Sequence, residues 1–309
     1  MKTLRQRVSD WLFPAEPDTW LAVLRLGLGL QALLYAASLR SDWEYLLGGA
    51  GSAIVNRDLS EGILSLESPF VPRIGWLTSL GGRLGVSEGA VLSFVWAGLL
   101  CASIMLVAGL FCRATAILTW LFHLCATKSG GFVVYGVDRF MTIGLAYLMF
   151  APLPDRYSLD RIWRRISPTR GDLIGFFRRV LQTHLSIIYF FGGLAKCLGS
   201  GWWNGSNLWR ALIRPPFNVV SPDVLVKYKA ILPPLGISIL VIETAYPFFI
   251  WPKRTRNVWL TCVVSMHLAI GLLMGMYLFG LVMMILNLAA FGPNTRGADQ
   301  DSKAAAPVS

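Results

Sequence analysis

The chain predicts an all-α fold, a polytopic transmembrane helical bundle of about eight spans with its N- and C-termini cytoplasmic. Three observations predict it. The 309 residues are 55% hydrophobic and only 15% charged, where soluble domains carry about 25% charge, and the mean hydropathy is +0.56. Apolar residues gather into segments near the ~20 needed to cross a hydrocarbon core of roughly 30 Å. The densest basic runs, "DRYSLDRIWRRISPTRGDLIGFFRR" and "WPKRTRN", fall on the cytoplasmic side when the N-terminus is placed inside, as the positive-inside bias requires. The net charge of +11 then reads as basic loops facing an anionic leaflet, with no nucleic acid implied.

The opening "MKTLRQRVSDWLFPAEPDTW" lacks the apolar core and small-residue cleavage site of a signal peptide, so the first span is expected to do the targeting. Spans are expected at 19–39, 87–111, 113–127, 134–153, 179–198, 232–251, 257–274 and 277–291. The last two form one apolar stretch too long for a single crossing, and it is broken at "MGMY", 274–277. Two long outer segments, 40–86 and 199–231, are rich in Gly, Ser, Pro and Trp and read as short or interfacial helices and turns. The whole of 1–292 reads as one transmembrane domain, followed by a polar tail, 293–309, expected to be disordered. Cys101, Cys112, Cys125, Cys197 and Cys262 show no paired spacing and read as packing residues.

Charge in hydrocarbon costs several kcal/mol, so each ionisable group within a span has to be paired, neutral or functional. Counting along the helices, Glu243 lies about 12 Å, and His267 and His123 about 15 Å, from the inner ends of their spans. A carboxylate with imidazoles near the midplane suits a proton relay or a polar ligand contact, and it equally suits interhelical glue. No HxxH or ExxH spacing joins His123, His184, His267 and Glu243, so no metal is expected. Arg25 and His184 sit near the inner ends of their spans, where anchoring or a local ion pair is the plain reading. Asp138 and Arg139, in "YGVDRFM", begin the fourth span, where a helix N-terminus favours the Asp.

Lys196 lies about 25 Å along its span, beside the interfacial turn "LGSGWWNG". Its ammonium either snorkels to the surface or is held in a low-dielectric pocket, where a neutral amine acts as a base. Gly192 and Gly193, one turn earlier, allow another helix or a flat ligand to come close.

The segments "IIYFFGGLAKCLGSGWWNG" and "FAPLPDRYSLDRIW" resemble the HTTM domain family, which includes the membrane half of vitamin K-dependent gamma-carboxylase and many short bacterial proteins. The resemblance extends over nearly the whole chain, with an arginine in the first span, Ser158 to Asp160, and "MHLAIGLLMGMYLF" near the end. It implies Lys196 as the catalytic base that deprotonates a quinol, with a vitamin K-like quinone or quinol as cofactor. It also implies a bacterial cytoplasmic (inner) membrane location and, as a partner, a small thiol-disulfide oxidoreductase. Asp155, Arg156 and Tyr157 stand where the carboxylase has His-Tyr-Trp, and the long lumenal region that binds the substrate propeptide has no counterpart after the last span. Peptide gamma-carboxylation is therefore not expected, and a quinone or other lipid-like ligand is. The alternative function is a non-catalytic scaffold or transporter-like protein in which Glu243, His267 and His123 pack helices or pass protons.

Overall fold

The computed structural model describes residues 3–49, 57–130, 134–165, 170–216 and 218–293. All but the first residue of the expected tail at 293–309 lies outside them. Among the described residues every regular element is a helix.

A short amphipathic α1 (Leu4–Leu12) starts at a reciprocal cap between Thr3 and Gln6, which satisfies two otherwise orphaned N–H groups. It is followed by α2 (Thr19–Ser38), which is apolar on nearly all sides. Leu21, Leu24, Leu28 and Ala32 recur at helical spacing and are fully buried, while Val23, Leu26, Leu30 and Leu34 face outward. A helix apolar all round is one surrounded by apolar material. Three short helices follow, α3 (Trp43–Leu47), α4 (Arg57–Glu67) and α5 (Ile74–Arg83), then the long α6 (Glu88–Ala108), α7 (Cys112–Ser129) and α8 (Gly136–Phe150). After the turn α9 (Leu159–Arg164) comes α10 (Gly171–Cys197), the longest helix. Short α11 (Ser200–Trp203), α12 (Ser206–Ile213) and α13 (Pro222–Lys227) lead to α14 (Leu232–Thr244), α15 (Tyr246–Phe249), α16 (Lys253–Met274) and α17 (Tyr277–Phe291).

One contiguous core joins the long helices, with α2 at its centre against α6, α8 and α17, and α10 on the flank against α14, α15 and α17. Three helices, Thr19–Ser38, Glu88–Ala108 and Lys253–Met274, are long and apolar enough to cross a membrane. Their outward side chains, among them Phe94, Ile104, Leu268 and Leu272, are exposed apolar groups, the surface that lipid contact calls for.

Two expected spans differ from the helices found. The helix expected from 179 begins at Gly171, about two turns earlier. Charge in this stretch masks a helical turn that is buried all the same. Arg178, 5% exposed, donates to the carbonyls of Ala290 (2.9 Å) and Gly292 (2.8 Å) and pairs with Glu16 at 2.7 Å, so it caps the end of α17. The span expected at 232–251 is divided at Ala245 into α14 and α15, where Pro247 supplies no backbone N–H to continue the ladder. The expected break at 274–277 is present: α16 ends at Met274, and Gly275 takes a left-handed φ of +68°, which a glycine adopts without steric cost.

The segment from Asp155 to Asp160 ties one end of the bundle together. Asp155 and Arg25 are both 0% exposed and paired at 2.5 Å. Arg25 also donates to the carbonyls of Leu106 (2.8 Å) and Val107 (2.7 Å), in the last turn of α6. The Asp160 carboxylate accepts from Cys112 N–H at 2.7 Å, at the first residue of α7, where both the free N–H groups and the helix dipole favour an anion.

Candidate functional site

Lys196 does not reach outward alone. Its ammonium is paired with the carboxylate of Glu243 on α14, with side-chain exposures of 28% and 11%, and the Trp202 ring lies 5.6 Å from Nζ. Long helical side chains lean toward their own N-terminus. Because α10 and α14 are antiparallel neighbours, Lys196 and Glu243 lean toward each other. A Cβ placed on Gly192 would lie 3.9 Å from Lys196 Nζ and 3.7 Å from Glu243 Oε2, at van der Waals contact, so the pair packs over the turn that precedes Lys196. At Gly193 an added Cβ would come within 2.5 Å of the Thr244 backbone nitrogen. Only glycine lets α14 approach this closely, and that approach brings Glu243 into reach.

Two turns earlier on the same face of α10 is Tyr189, 3% exposed. Its ring stacks on Tyr246 at 4.2 Å between centroids. Tyr246 donates its hydroxyl proton to Asn287 Oδ1 (2.7 Å), Asn287 Nδ2 donates to the Tyr189 hydroxyl (2.8 Å), and that hydroxyl lies 2.6 Å from His267 Nε2. Since Tyr189 accepts from Asn287, its own proton is free to go to His267 Nε2, which leaves the imidazole proton on Nδ1. Nδ1 has no partner among the described residues. The arrangement is two stacked polar layers, an ion pair and a buried hydrogen-bond chain, shared by α10, α14, α15, α16 and α17.

The other sequence-derived candidates lie elsewhere. His123, 0% exposed, is on α7 and shares a hydrogen bond of 3.2 Å with Thr142. The Thr142 hydroxyl already donates to the Asp138 carbonyl at 2.7 Å, so His123 Nδ1 is the donor and Nε2 is left without a partner. Thus Glu243, His267 and His123, read in the sequence as one midplane group, are not hydrogen-bonded to one another. The reason is topological: α7 packs on α6 and α8, whereas α14 packs on α10. Asp138 is buried and accepts from the Tyr135 N–H at 3.0 Å, while its neighbour Arg139 is exposed on α8. Successive helical residues point about 100° apart, so this doublet forms no pair. Arg25 is held by Asp155, not by a membrane surface, and His184 is hydrogen-bonded to Tyr147 at 2.8 Å.

Sequence reasoning missed Tyr189, Tyr246 and Asn287, because aromatic and amide groups carry no charge to mark them in an apolar run. It also missed Asp155 as the partner of Arg25. Among the described residues no three of His, Cys, Asp and Glu come together as a metal site. Comparison with family models, with curated proteins and with solved structures finds no match to this chain.

Proposed function

We propose that the chain is a multi-pass integral protein of a bacterial cytoplasmic (inner) membrane, related to the HTTM family, that takes a quinol or similar lipid-soluble ligand at Lys196 and Glu243. In this reading all eight apolar segments cross the bilayer and both termini are cytoplasmic. The observation that carries it is the half-buried Lys196–Glu243 pair, packed over the Gly192 turn of α10.

The pair works as a unit. A quinol hydroxyl brought against the pair loses one proton and the pair gains it, on Glu243 when the pair starts as ammonium and carboxylate, or on Lys196 when it starts as amine and acid. The product oxyanion is then held beside an ammonium in a site of low dielectric, where such a contact is strongest. Tyr189, Asn287 and Tyr246 fix the helices on either side. His267 accepts from the Tyr189 hydroxyl through Nε2 and closes that chain.

A second reading, helix glue without chemistry, is favoured by the completeness of the Tyr189–Asn287–Tyr246 chain. One experiment separates the two. Protein purified in mild detergent is extracted and its quinone content measured for the wild type, Lys196→Met and the double variant Lys196→Met/Glu243→Leu. The double variant removes both charges, so it leaves no buried carboxylate unpaired. Quinone recovered from the wild type and absent from a stably folded double variant supports the ligand site. Equal quinone in both, or none in either, leaves the pair as glue and removes the proposal.

A further inference from the structure

Not one residue of α1 is buried, and a helix of nine residues is too short to persist in water on its own propensity. Its side chains are nevertheless ordered by type around the helix. At ~100° per residue, Trp11, Leu4, Val8 and Leu12 fall in that order on an arc of about 100°. Leu4 is 79% exposed, Val8 48% and Trp11 46%. Arg7 borders this arc on one side and Arg5 on the other, while Gln6 and Asp10 lie opposite it. An apolar stripe edged by arginines is the pattern of a helix lying in the plane of a membrane interface, its long cations reaching to the headgroups.

The bundle fixes where this helix sits. The Trp11 carbonyl accepts from Arg179 Nε at 3.0 Å, and the Arg179 guanidinium lies 5.0 Å from the rings of both Trp11 and Trp251. Phe13 stacks on Phe176 at 4.8 Å between centroids. These contacts hold α1 at the end of the bundle where α10 and α16 begin. Exposed apolar surface continues there onto Phe248 and Val258.

The acids at this end are engaged. Glu16 pairs with Arg178, Asp18 with Arg156 and Arg161, Asp155 with Arg25 and Asp172 with Arg170, and Asp160 accepts at the start of α7. Asp10 lies on the face of α1 away from the stripe. Arg5, Arg7, Lys253 and Arg254 are exposed and form no ion pair among the described residues. A zwitterionic bilayer calls only for the stripe; exposed cations along its edges and beside it at the start of α16 match an anionic headgroup layer.

We propose that α1, together with Lys253 and Arg254, is a docking surface for anionic phospholipid, with the stripe at the acyl boundary and Arg5 and Arg7 on headgroup phosphates. The inference rests on the reading that the bundle spans a bilayer, and on no ligand at Lys196 and Glu243.

The test is hydrogen–deuterium exchange of the full-length protein in nanodiscs of phosphatidylcholine alone and of phosphatidylcholine with phosphatidylglycerol. Peptides from α1 and α2 are followed for the wild type, Arg5→Gln/Arg7→Gln and Leu4→Gln/Val8→Gln. All four positions are exposed and glutamine is a good helix former, so neither the core nor helix propensity decides the result. In the wild type α1 exchanges more slowly in the anionic discs. The charge variant loses about fivefold of that protection for each arginine removed, and the stripe variant loses protection in both lipids. Wild-type α1 exchange that is equal in the two lipids, or protection that either variant leaves unchanged, overturns the docking surface while α2 stays protected. A protein that does not enter the discs, with α2 exchanging freely, overturns the bilayer reading as well.

Discussion

The pair between Arg25 and Asp155 gives the sharpest energetic test. Both side chains are wholly buried. The guanidinium makes two bonds to the carboxylate, at 2.5 and 3.3 Å, and one each to the carbonyls of Leu106 and Val107. Arg25→Ala removes all four bonds, strands a buried carboxylate and uncaps the end of α6. Breaking one side of a buried pair costs about 3–5 kcal/mol, and two carbonyls without donors sit at the upper end of that range. Asp155→Leu strands the guanidinium but keeps its two carbonyl contacts, so it costs less. Replacing both with apolar groups of similar volume, Arg25→Met/Asp155→Leu, leaves no buried charge and recovers much of the loss. The assay is reversible unfolding in mixed detergent micelles for the cycle of wild type, Arg25→Met, Asp155→Leu and the double variant, with Arg25→Ala measured beside them. The expected coupling energy is about 2 kcal/mol or more. An Arg25→Ala loss below ~1 kcal/mol, or a double variant equal to the sum of the singles, refutes the argument that the pair is a desolvated unit.

Two further contrasts follow from the same physics. Tyr189→Phe deprives both Asn287 and His267 of a partner, whereas Tyr246→Phe deprives only Asn287. At about 1–3 kcal/mol per stranded buried group, unfolding titrations should show the first variant losing about twice as much, and equal losses would remove Tyr189 as the branch point. Gly193→Ala sets a methyl 2.5 Å from the Thr244 backbone nitrogen, where no side chain can give way, while Gly192→Ala meets nothing nearer than 3.7 Å. The first should destabilise by about 1–3 kcal/mol, and the second should be neutral or slightly stabilising. If a ligand ring rests against Gly192 beside the pair, Gly192→Ala keeps its fold and loses bound quinone. A stable Gly192→Ala protein with wild-type quinone content moves the ligand away from Gly192.

The ends of several helices were legible because apolar runs and breakers mark them. The start of α2 at Thr19, the start and end of α17 and the turn at Gly275 all fall where hydropathy and glycine place them. The early start of α10 was not legible, because Arg178 looks like a loop residue until its carbonyl partners at the end of α17 are known. The pairing of Lys196 with Glu243 was hidden for a geometric reason. Counted by Cα position, the two lie at different depths. Side chains that lean toward their own N-termini close that gap in an antiparallel helix pair. The reverse error placed His123 with Glu243, since equal depth says nothing about which neighbours a helix has. The stretch from Ser158 to Asp160, singled out for its resemblance to a family pattern, proves to carry caps: Ser158 accepts from the Arg161 N–H at the start of α9, and Asp160 accepts at the start of α7. These residues are explained by folding before any chemistry is invoked.

Polar groups in this bundle sort themselves by how completely they are matched. Helices in lipid gain little from burying apolar faces against one another, because the acyl chains are equally apolar, so hydrogen bonds and close backbone contacts set which helices meet. Arg25 with Asp155, Arg178 with Glu16, and Asp160 at the start of α7 meet that need. Each joins segments far apart in sequence. Buried polar atoms without a partner among the described residues are scattered through the same core, on Trp20 and Gln31 of α2, Thr119 and His123 of α7 and His267 of α16. Leaving such a group unsatisfied costs as much as a bond contributes, so a bare nitrogen alone does not mark a site. The layer around Lys196, Glu243 and His267 stands apart because there a bare imidazole nitrogen on α16 and a partly exposed ion pair on α10 and α14 fall on helices in contact.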